Sequence, residues 1–187
     1  MVKKKACIFI SGSGTNLKSI IKNSRDYNFP INISLVIANK KNAGGIRFAK
    51  KFSIPHIILD ISKKKFEKIA IRELLQRKIK LLCLAGFMKI LSKSFIRNFK
   101  GKIINIHPSL LPKYKGLDTF NRVLNAREKL TGCTVHFVDE KLDNGRTIIK
   151  KRVWIKKNDG TKELKKKVQA EEYKAYSIAI RKIYSVN

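Results

Sequence analysis

Short apolar runs alternate with longer stretches whose apolar residues recur every three to four positions, and this alternation predicts the order of elements. Residues 6–10 read as a strand that enters Ser11-Gly12-Ser13-Gly14-Thr15; residues 16–23 then carry Leu17, Ile20 and Ile21 at helical spacing. Residues 31–38, β-branched and apolar, predict a second strand. Helix is expected over 43–52, weakened at its start by Gly44 and Gly45, and a short strand over 55–59. Phe66, Ile69, Ala70, Leu74 and Leu75 place a third helix at 66–77, with Lys63, Lys64 and Lys65 in the loop before it. Residues 81–85 are continuously apolar, the mark of a strand covered on both faces. A helix over 92–99 with Ser92 as N-cap and a short strand over 103–106 follow.

This rhythm argues for an α/β fold: a doubly wound, mostly parallel sheet with right-handed crossovers and helices on both faces. After Pro108 the pattern changes. Residues 110–117 form a loop with Pro112 and Gly116, and 119–126 a helix. Residues 131–138 and 147–155 alternate more strictly, as antiparallel strands do. Residues 162–184 form a long helical tail with Leu164, Val168, Tyr173 and Ile180 for packing. With no repeat and no linker, a single domain over 1–187 is expected.

Composition narrows the class. A hydrophobic fraction of 43% argues against disorder, and no apolar run is long enough to span a bilayer. Residues 6–10 are too short for the apolar core of a signal peptide. Cys7, Cys83 and Cys133 sit in apolar runs without CxxC spacing, which suits buried thiols in a reducing, cytoplasmic compartment. The net charge is +30, carried by 33 Lys and 10 Arg in small scattered runs. Arg supplies the bidentate contacts of nucleic-acid readers, so the Lys excess reads as solvated surface rather than a specific nucleic-acid face. Its field still attracts anionic small molecules.

Three segments carry candidate chemistry. Residues 11–16 join a strand to a helix and lack both the third glycine of a dinucleotide loop and the Lys of a P-loop. They are either a plain turn or an anion site for one phosphate. Asn105 and His107 lie two apart at the carboxyl end of a central strand, so extended backbone points both to one side, where open α/β sheets bind ligands. Asn105 offers an amide donor and His107 a titratable ring. Asp143 lies in a turn with Gly145, either as a loop carboxylate or as an Asx-turn. His136 sits mid-strand, where ring-orienting, packing and catalytic roles all stay open. No His/Cys/Asp set has metal-ligand spacing, so no metal is expected.

With these residues in view, the chain resembles the phosphoribosylglycinamide formyltransferases, folate-dependent enzymes of purine synthesis. The resemblance runs over about residues 6–176 and rests on SGxGxN (11–16), LAGFMxIL (84–91), NIHPSLLPxYxG (105–116), GxxVHFVxxxLDxG (132–145) and VQxxE (168–172). It implies a formyl donor, 10-formyltetrahydrofolate, as co-substrate and glycinamide ribonucleotide as acceptor, in a monomer or homodimer. It implies a catalytic trio of Asn105, His107 and Asp143, with His136 in support. Gly14, Thr15 and Asn16 would hold the substrate phosphate, and Gln169 and Glu172 the phosphoribosyl part. Phe87, Met88, Lys89, Ile90 and Leu91, with Val138, Asp139, Glu140 and Leu142, would line the folate pocket. Residues 1–105 would then be the phosphate-binding part, and 106–187 the folate and catalytic loops with the last helix. Asp143 beside His107 is expected to raise the imidazole pKa.

The chain departs from the family pattern after Asp143. Asn144-Gly145-Arg146 stands where relatives carry Gly-Gly-Pro. Asn144 is expected to supply the left-handed conformation of the turn, because Asn tolerates positive φ. Lys89 replaces the usual Arg. Two other formyl-folate enzymes fit less well: a tRNA formyltransferase needs a further C-terminal domain, and a deformylase carries an N-terminal regulatory domain and a different loop at 107–112.

Overall fold

The computed structural model describes residues 2–184, which contain seven strands and six helices. In chain order they are β1 (Lys4–Ile10), α1 (Thr15–Ser24), β2 (Ile31–Ala38), α2 (Ile46–Lys51), β3 (His56–Ile58), α3 (Lys63–Gln76), β4 (Leu81–Leu84), α4 (Lys93–Asn98), β5 (Lys102–His107), α5 (Thr119–Asn125), β6 (Leu130–Phe137), β7 (Thr147–Trp154) and α6 (Thr161–Tyr184). Hydrogen bonds order the strands β3-β2-β1-β4-β5-β6-β7. β1 runs parallel to β2 and β4, β2 parallel to β3, and β7 antiparallel to β6. This is the doubly wound, mostly parallel sheet that the alternation predicts. The chain divides into two compact units between Ile104 and Asn105.

In the first unit the chain steps outward from β1 to β2 to β3, then returns to place β4 on the other side of β1. The loops after β1 and β4 therefore leave the sheet at the point where the winding reverses, the usual place for a ligand crevice. β4 is buried at every position, as its continuous apolar run requires. Phe9 is the centre of an aromatic cluster, with ring centroids 5.5 Å from Phe66, 5.2 Å from Phe87 and 6.1 Å from Phe95. Such pairs add about 0.5–1.5 kcal/mol each beyond area burial. Ser92 caps α4 as expected: its Oγ accepts the Phe95 N–H at 3.1 Å and donates to Glu67 Oε2 at 2.6 Å. The carboxylate of Glu67 on α3 thus fixes where α4 begins.

Two helix starts differ from expectation. Lys63, Lys64 and Lys65 are not loop residues; they form the first turn of α3, with Ser62 extended in the N-cap position. Lysine is a good helix former, and the chain spends that propensity against the helix dipole, which disfavours cations in a first turn. α2 starts at Ile46 rather than 43, since Gly44 and Gly45 lie outside it.

The cysteines are free and buried. Cys7 lies opposite Leu82 and Cys83 opposite Ile8, so the two side chains point to opposite faces and cannot pair. Burial, reinforced by Glu172 and Glu171, pushes the Cys133 thiol up to about 12, so it is a packing residue rather than a nucleophile.

In the second unit β6 is nearly wholly buried, whereas β7 alternates and exposes Thr147, Lys150, Arg152 and Trp154. α6 covers this pair with Leu164, Val168, Ala175, Tyr176, Ala179 and Ile180, all fully buried at three- and four-residue spacing. Each large apolar side chain so buried contributes roughly 1.5–3 kcal/mol. The aromatic in this stripe is Tyr176, not Tyr173, which is only half-buried. Tyr176 is spaced four residues from Ile180 and eight from Val168, and so shares their face.

Candidate active site

In the first unit, the glycine-rich turn is built by close backbone approach. Gly14 has φ +74°, and a Cβ there would fall 2.4 Å from the Cα of Gly45. The Gly45 N–H donates to the Gly12 carbonyl at 3.0 Å, so the strap 39–45 lies directly against the turn. Gly14 stands at the N-cap of α1 with no side-chain hydrogen bond, Thr15 is half-buried and Asn16 is buried. The start of α1 thus has no side-chain cap from its N-cap residue. Ser11 Oγ accepts the Met88 N–H at 2.8 Å and ties the loops after β1 and β4 together.

The second of these loops divides its residues by role. Phe87 joins the aromatic cluster, stacking on Phe66 at 5.6 Å, and Leu91 is buried. Lys89 Nζ donates to the Ile61 carbonyl at 3.2 Å. Met88 and Ile90 are 63% and 62% exposed, large apolar side chains left uncovered between two anchored neighbours.

The second unit holds a buried polar cluster. β5 ends at His107, and Asn105 and His107 project from it to one side. Asp143 joins them from the turn before β7 and is itself the left-handed residue, with φ +46°; Asn144 is not, contrary to expectation. His107 Nδ1 lies 3.3 Å from Asp143 Oδ2, with both side chains less than 8% exposed. The same Oδ2 accepts the Gly116 N–H at 2.9 Å. Asn105 Nδ2 stands 3.5 Å from Asp143 Oδ1 and 3.3 Å from His136 Nε2.

His107 Nε2 lies 2.8 Å from the Tyr114 carbonyl, so both ring nitrogens face groups that only accept, this carbonyl on one side and the Asp143 carboxylate on the other. His136 Nδ1 lies 2.8 Å from the Phe137 carbonyl, and its Nε2 lies 3.7 Å from Asp143 Oδ1. The Asn105 amide nitrogen thus lies between the His136 ring and the Asp143 carboxylate. Burial pushes the His107 imidazole below the ordinary histidine range, outweighing the Tyr114 carbonyl and the Asp143 carboxylate that pull it up. The expected rise is thus reversed, since desolvation of the imidazolium dominates. Burial also pulls the Asp143 carboxyl up, but His136, the Gly116 amide and His107 together hold it below the usual carboxylate range.

The turn carrying Asp143 is held without the family's proline. A Cβ on Gly145 would fall 1.9 Å from the Phe137 carbonyl oxygen, so only glycine allows this closure. The Phe137 N–H donates to the Arg146 carbonyl at 2.9 Å, and the Arg146 guanidinium lies 4.9 Å from the Phe137 ring centroid. Lys115 Nζ donates to Asn144 Oδ1 at 2.9 Å. Before it, Val138 is half-buried, Asp139 and Glu140 are exposed and Leu142 is 51% exposed. On α6, Gln169 is half-buried and Glu172 buried, three residues apart on one face. Among the described residues no group of three His, Cys, Asp or Glu side chains is placed to hold a metal ion, and no helix is long and apolar enough to cross a membrane.

The formyl transferase family model matches residues 4–180. The chain belongs to the formyl transferase family. It is 40% identical to the phosphoribosylglycinamide formyltransferase of Haemophilus influenzae over 95% of this chain and 86% of that protein. A crystal structure of the phosphoribosylglycinamide formyltransferase of Brucella melitensis superposes with a TM-score of 0.92 at 36% identity, covering 100% of this chain and 98% of that one. The chain is also 39% identical to the trifunctional purine biosynthetic protein adenosine-3 of Gallus gallus, of whose length it spans 19%.

Two groups in the cluster escape a side-chain reading of the sequence. The Tyr114 carbonyl and the Gly116 amide grip His107 and Asp143 through the backbone. Tyr114 and Gly116 both have positive φ, +57° and +80°. The local signal was the Tyr-x-Gly spacing within the loop.

Proposed function

We propose that this family member transfers the formyl group of 10-formyltetrahydrofolate to the amine of glycinamide ribonucleotide, in the cytoplasm. The observation that carries this reading is the buried cluster of Asn105, His107 and Asp143 in a chain matched by the family model over residues 4–180. Gly14, Thr15 and Asn16 take the substrate phosphate in this reading, and Gln169 and Glu172 the phosphoribosyl group. Phe87, Met88, Lys89, Ile90, Leu91, Val138, Asp139, Glu140 and Leu142 serve the folate.

The chemistry needs three things. The attacking amine must be neutral, the oxyanion formed on the formyl carbon must be stabilised, and a proton must pass from the attacking to the leaving nitrogen. Asn105 Nδ2 has two hydrogens on long contacts of 3.3 and 3.5 Å, so one can turn to the oxyanion without any change in charge. His136 holds the amide in that orientation. The proton lost by the amine enters the gap between Asp143 Oδ2 and His107 Nδ1, directly or through water. It creates an imidazolium beside a carboxylate next to the developing negative charge, and then returns to the nitrogen of the departing folate. Burial lowers the affinity of His107 for a proton, which suits a group that takes up the proton and then releases it readily.

The test is a formyl-transfer assay of purified protein with both substrates, following loss of 10-formyltetrahydrofolate and gain of formylated ribonucleotide. Failure of transfer by folded protein, or hydrolysis of the formyl group without transfer, overturns the reading.

A further inference from the structure

The loop after β4 is tied down along its length. The Ala85 N–H donates to the Phe9 carbonyl at 3.0 Å, and the Gly86 carbonyl accepts the Ser11 N–H at 3.2 Å. The Met88 N–H reaches Ser11 Oγ at 2.8 Å, and Lys89 Nζ reaches the Ile61 carbonyl at 3.2 Å. Phe87 packs on both Phe9 and Phe66. A backbone held at these points cannot carry the Met88 side chain inward, so a large apolar thioether stays 63% exposed. That thioether is also the sulfur an oxidant meets first. Met88 is the only methionine among the described residues. Cys7, Cys83 and Cys133 have no exposed surface. Burial pushes the Cys7 and Cys133 thiols up, away from the thiolate form that reacts with peroxides.

We propose that Met88 is a site of reversible oxidation by hydroperoxides, and that its sulfoxide weakens binding of the folate donor. The second part rests on the formyl-transfer reading above. A sulfur lone pair attacks one oxygen of hydrogen peroxide, and the S–O bond forms as the O–O bond breaks. The departing hydroxide takes the proton from the transferred oxygen and leaves as water. The sulfur is thus oxidised by two electrons and the peroxide reduced. The product places a polar, chiral sulfoxide where an adaptable apolar side chain stood, and the fixed backbone gives the loop no other residue to offer in its place. A methionine in contact with an aromatic ligand should lose about three- to tenfold in affinity when that contact becomes polar. Met88 takes no part in the proton steps, so the loss should fall on donor binding and spare the chemistry.

The experiment treats the whole chain with hydrogen peroxide, removes the excess with catalase, and compares each protein with its own untreated sample. Peptide mass spectrometry reads the oxygen added at Met88, and calorimetric titration with 10-formyltetrahydrofolate reads donor binding without turnover. In the parent protein Met88 should gain one oxygen before any cysteine does, and both Kd and KM for the folate should rise about three- to tenfold. KM for the ribonucleotide and kcat should stay within about twofold, the pattern of lost donor binding alone. The two methionine sulfoxide reductases, one for each sulfoxide epimer, should together remove that oxygen and restore the folate constants. Met88→Leu has no sulfur to oxidise, so its folate KM should be the same before and after peroxide. Met88→Gln carries a polar group from the start, so its folate KM should be high and equally unmoved. Met88 left unoxidised while cysteines react, or fully oxidised with folate binding unchanged, overturns the proposal, and so does an equal response of Met88→Leu and the parent protein to peroxide. Absence of formyl transfer by an untreated parent that binds the folate overturns the functional reading alone, since the peptide masses and the titration still decide the role of Met88.

Discussion

Replacing Asp143 by Asn removes one charge and almost nothing else. Asp143 has φ +46°, a conformation that Asn accepts as readily as Asp, so the turn keeps its shape. The Asn oxygen can still accept the Gly116 N–H. What is lost is the carboxylate 3.3 Å from His107 Nδ1. Between unit charges at that distance, an effective dielectric near 20 gives about 5 kcal/mol. Only the part of that interaction that appears as the proton arrives in the transition state affects rate, so a loss of about 10²–10³ in kcat is expected, similar to losing one oxyanion-hole donor. Asp143→Ala is the contrasting variant. It adds a left-handed Ala, at about 1–2 kcal/mol, and orphans the Gly116 amide, at about 1–3 kcal/mol. For a chain of this size each 1 kcal/mol moves Tm by roughly 2–4 °C. Turnover at saturating substrate and thermal unfolding of both variants separate charge from fold. Asn should keep Tm within about 4 °C and lose the rate; Ala should lose both. A folded Asp143→Asn variant turning over within tenfold of the parent enzyme removes Asp143 from the mechanism.

Gly14→Val combines an unfavourable φ with a Cβ 2.4 Å from the Gly45 backbone, so it should push the turn and the strap apart. KM for the ribonucleotide should rise far more than KM for the folate, and equal rises would refute a phosphate role for the turn. Burial holds the His107 imidazole below its unfolded value near 6.5, so the unfolded chain takes a proton that the native cluster resists. Stability is then full above about pH 6.5 and falls as pH drops toward the folded value, by up to about 1.4 kcal/mol per pH unit. Urea unfolding at pH 7.5 and 5.5 measures this; a His107→Gln variant should flatten the difference, and an equal slope in both would refute the assignment. Asp143, held low, adds a second loss that begins only below the usual carboxylate range, near pH 4. The net charge of +30 should steer two anionic substrates, so kcat/KM should fall between 0.1 and 1 M salt, where the Debye length shrinks from about 10 to about 3 Å, while kcat stays nearly flat. Sequence-selective RNA binding that survives physiological salt would instead restore a nucleic-acid role.

The alternation of apolar runs and helical stripes was enough to place every strand of the sheet, because burial on two faces leaves continuous apolar residues such as Leu81 to Leu84. Asn105 and His107 were legible together, since a strand puts alternate residues on one side. What was not legible depends on partners distant in sequence. The charge state of His107 follows from burial that no local pattern records. The positive φ falls on Asp143 rather than Asn144 because Gly145 must close against Phe137, a contact across the loop. Lys63, Lys64 and Lys65 looked like loop because the apolar stripe of α3 begins only at Phe66, yet the helix propensity of lysine extends the helix back over them. The carbonyl of Tyr114 could not be foreseen, since every residue has one.

An open sheet ends in two rows of unsatisfied backbone donors and acceptors, and either row is a template on which a foreign strand can lengthen the sheet. Here one terminal strand, β3, is three residues long, too short to seed such growth. The other, β7, is eight residues long and apolar enough in Ile148, Ile149 and Val153 to invite it, but it carries Lys150, Lys151 and Arg152 in succession. A second copy docking antiparallel along that rim would bring two such triplets together and repel. Substituting those three side chains with neutral ones would take away the barrier, and the expected result is cross-molecular sheet extension and precipitation rather than any loss of the fold. The lysine excess that looks idle on the surface thus acts, along this one strand, as a gatekeeper against fibre formation.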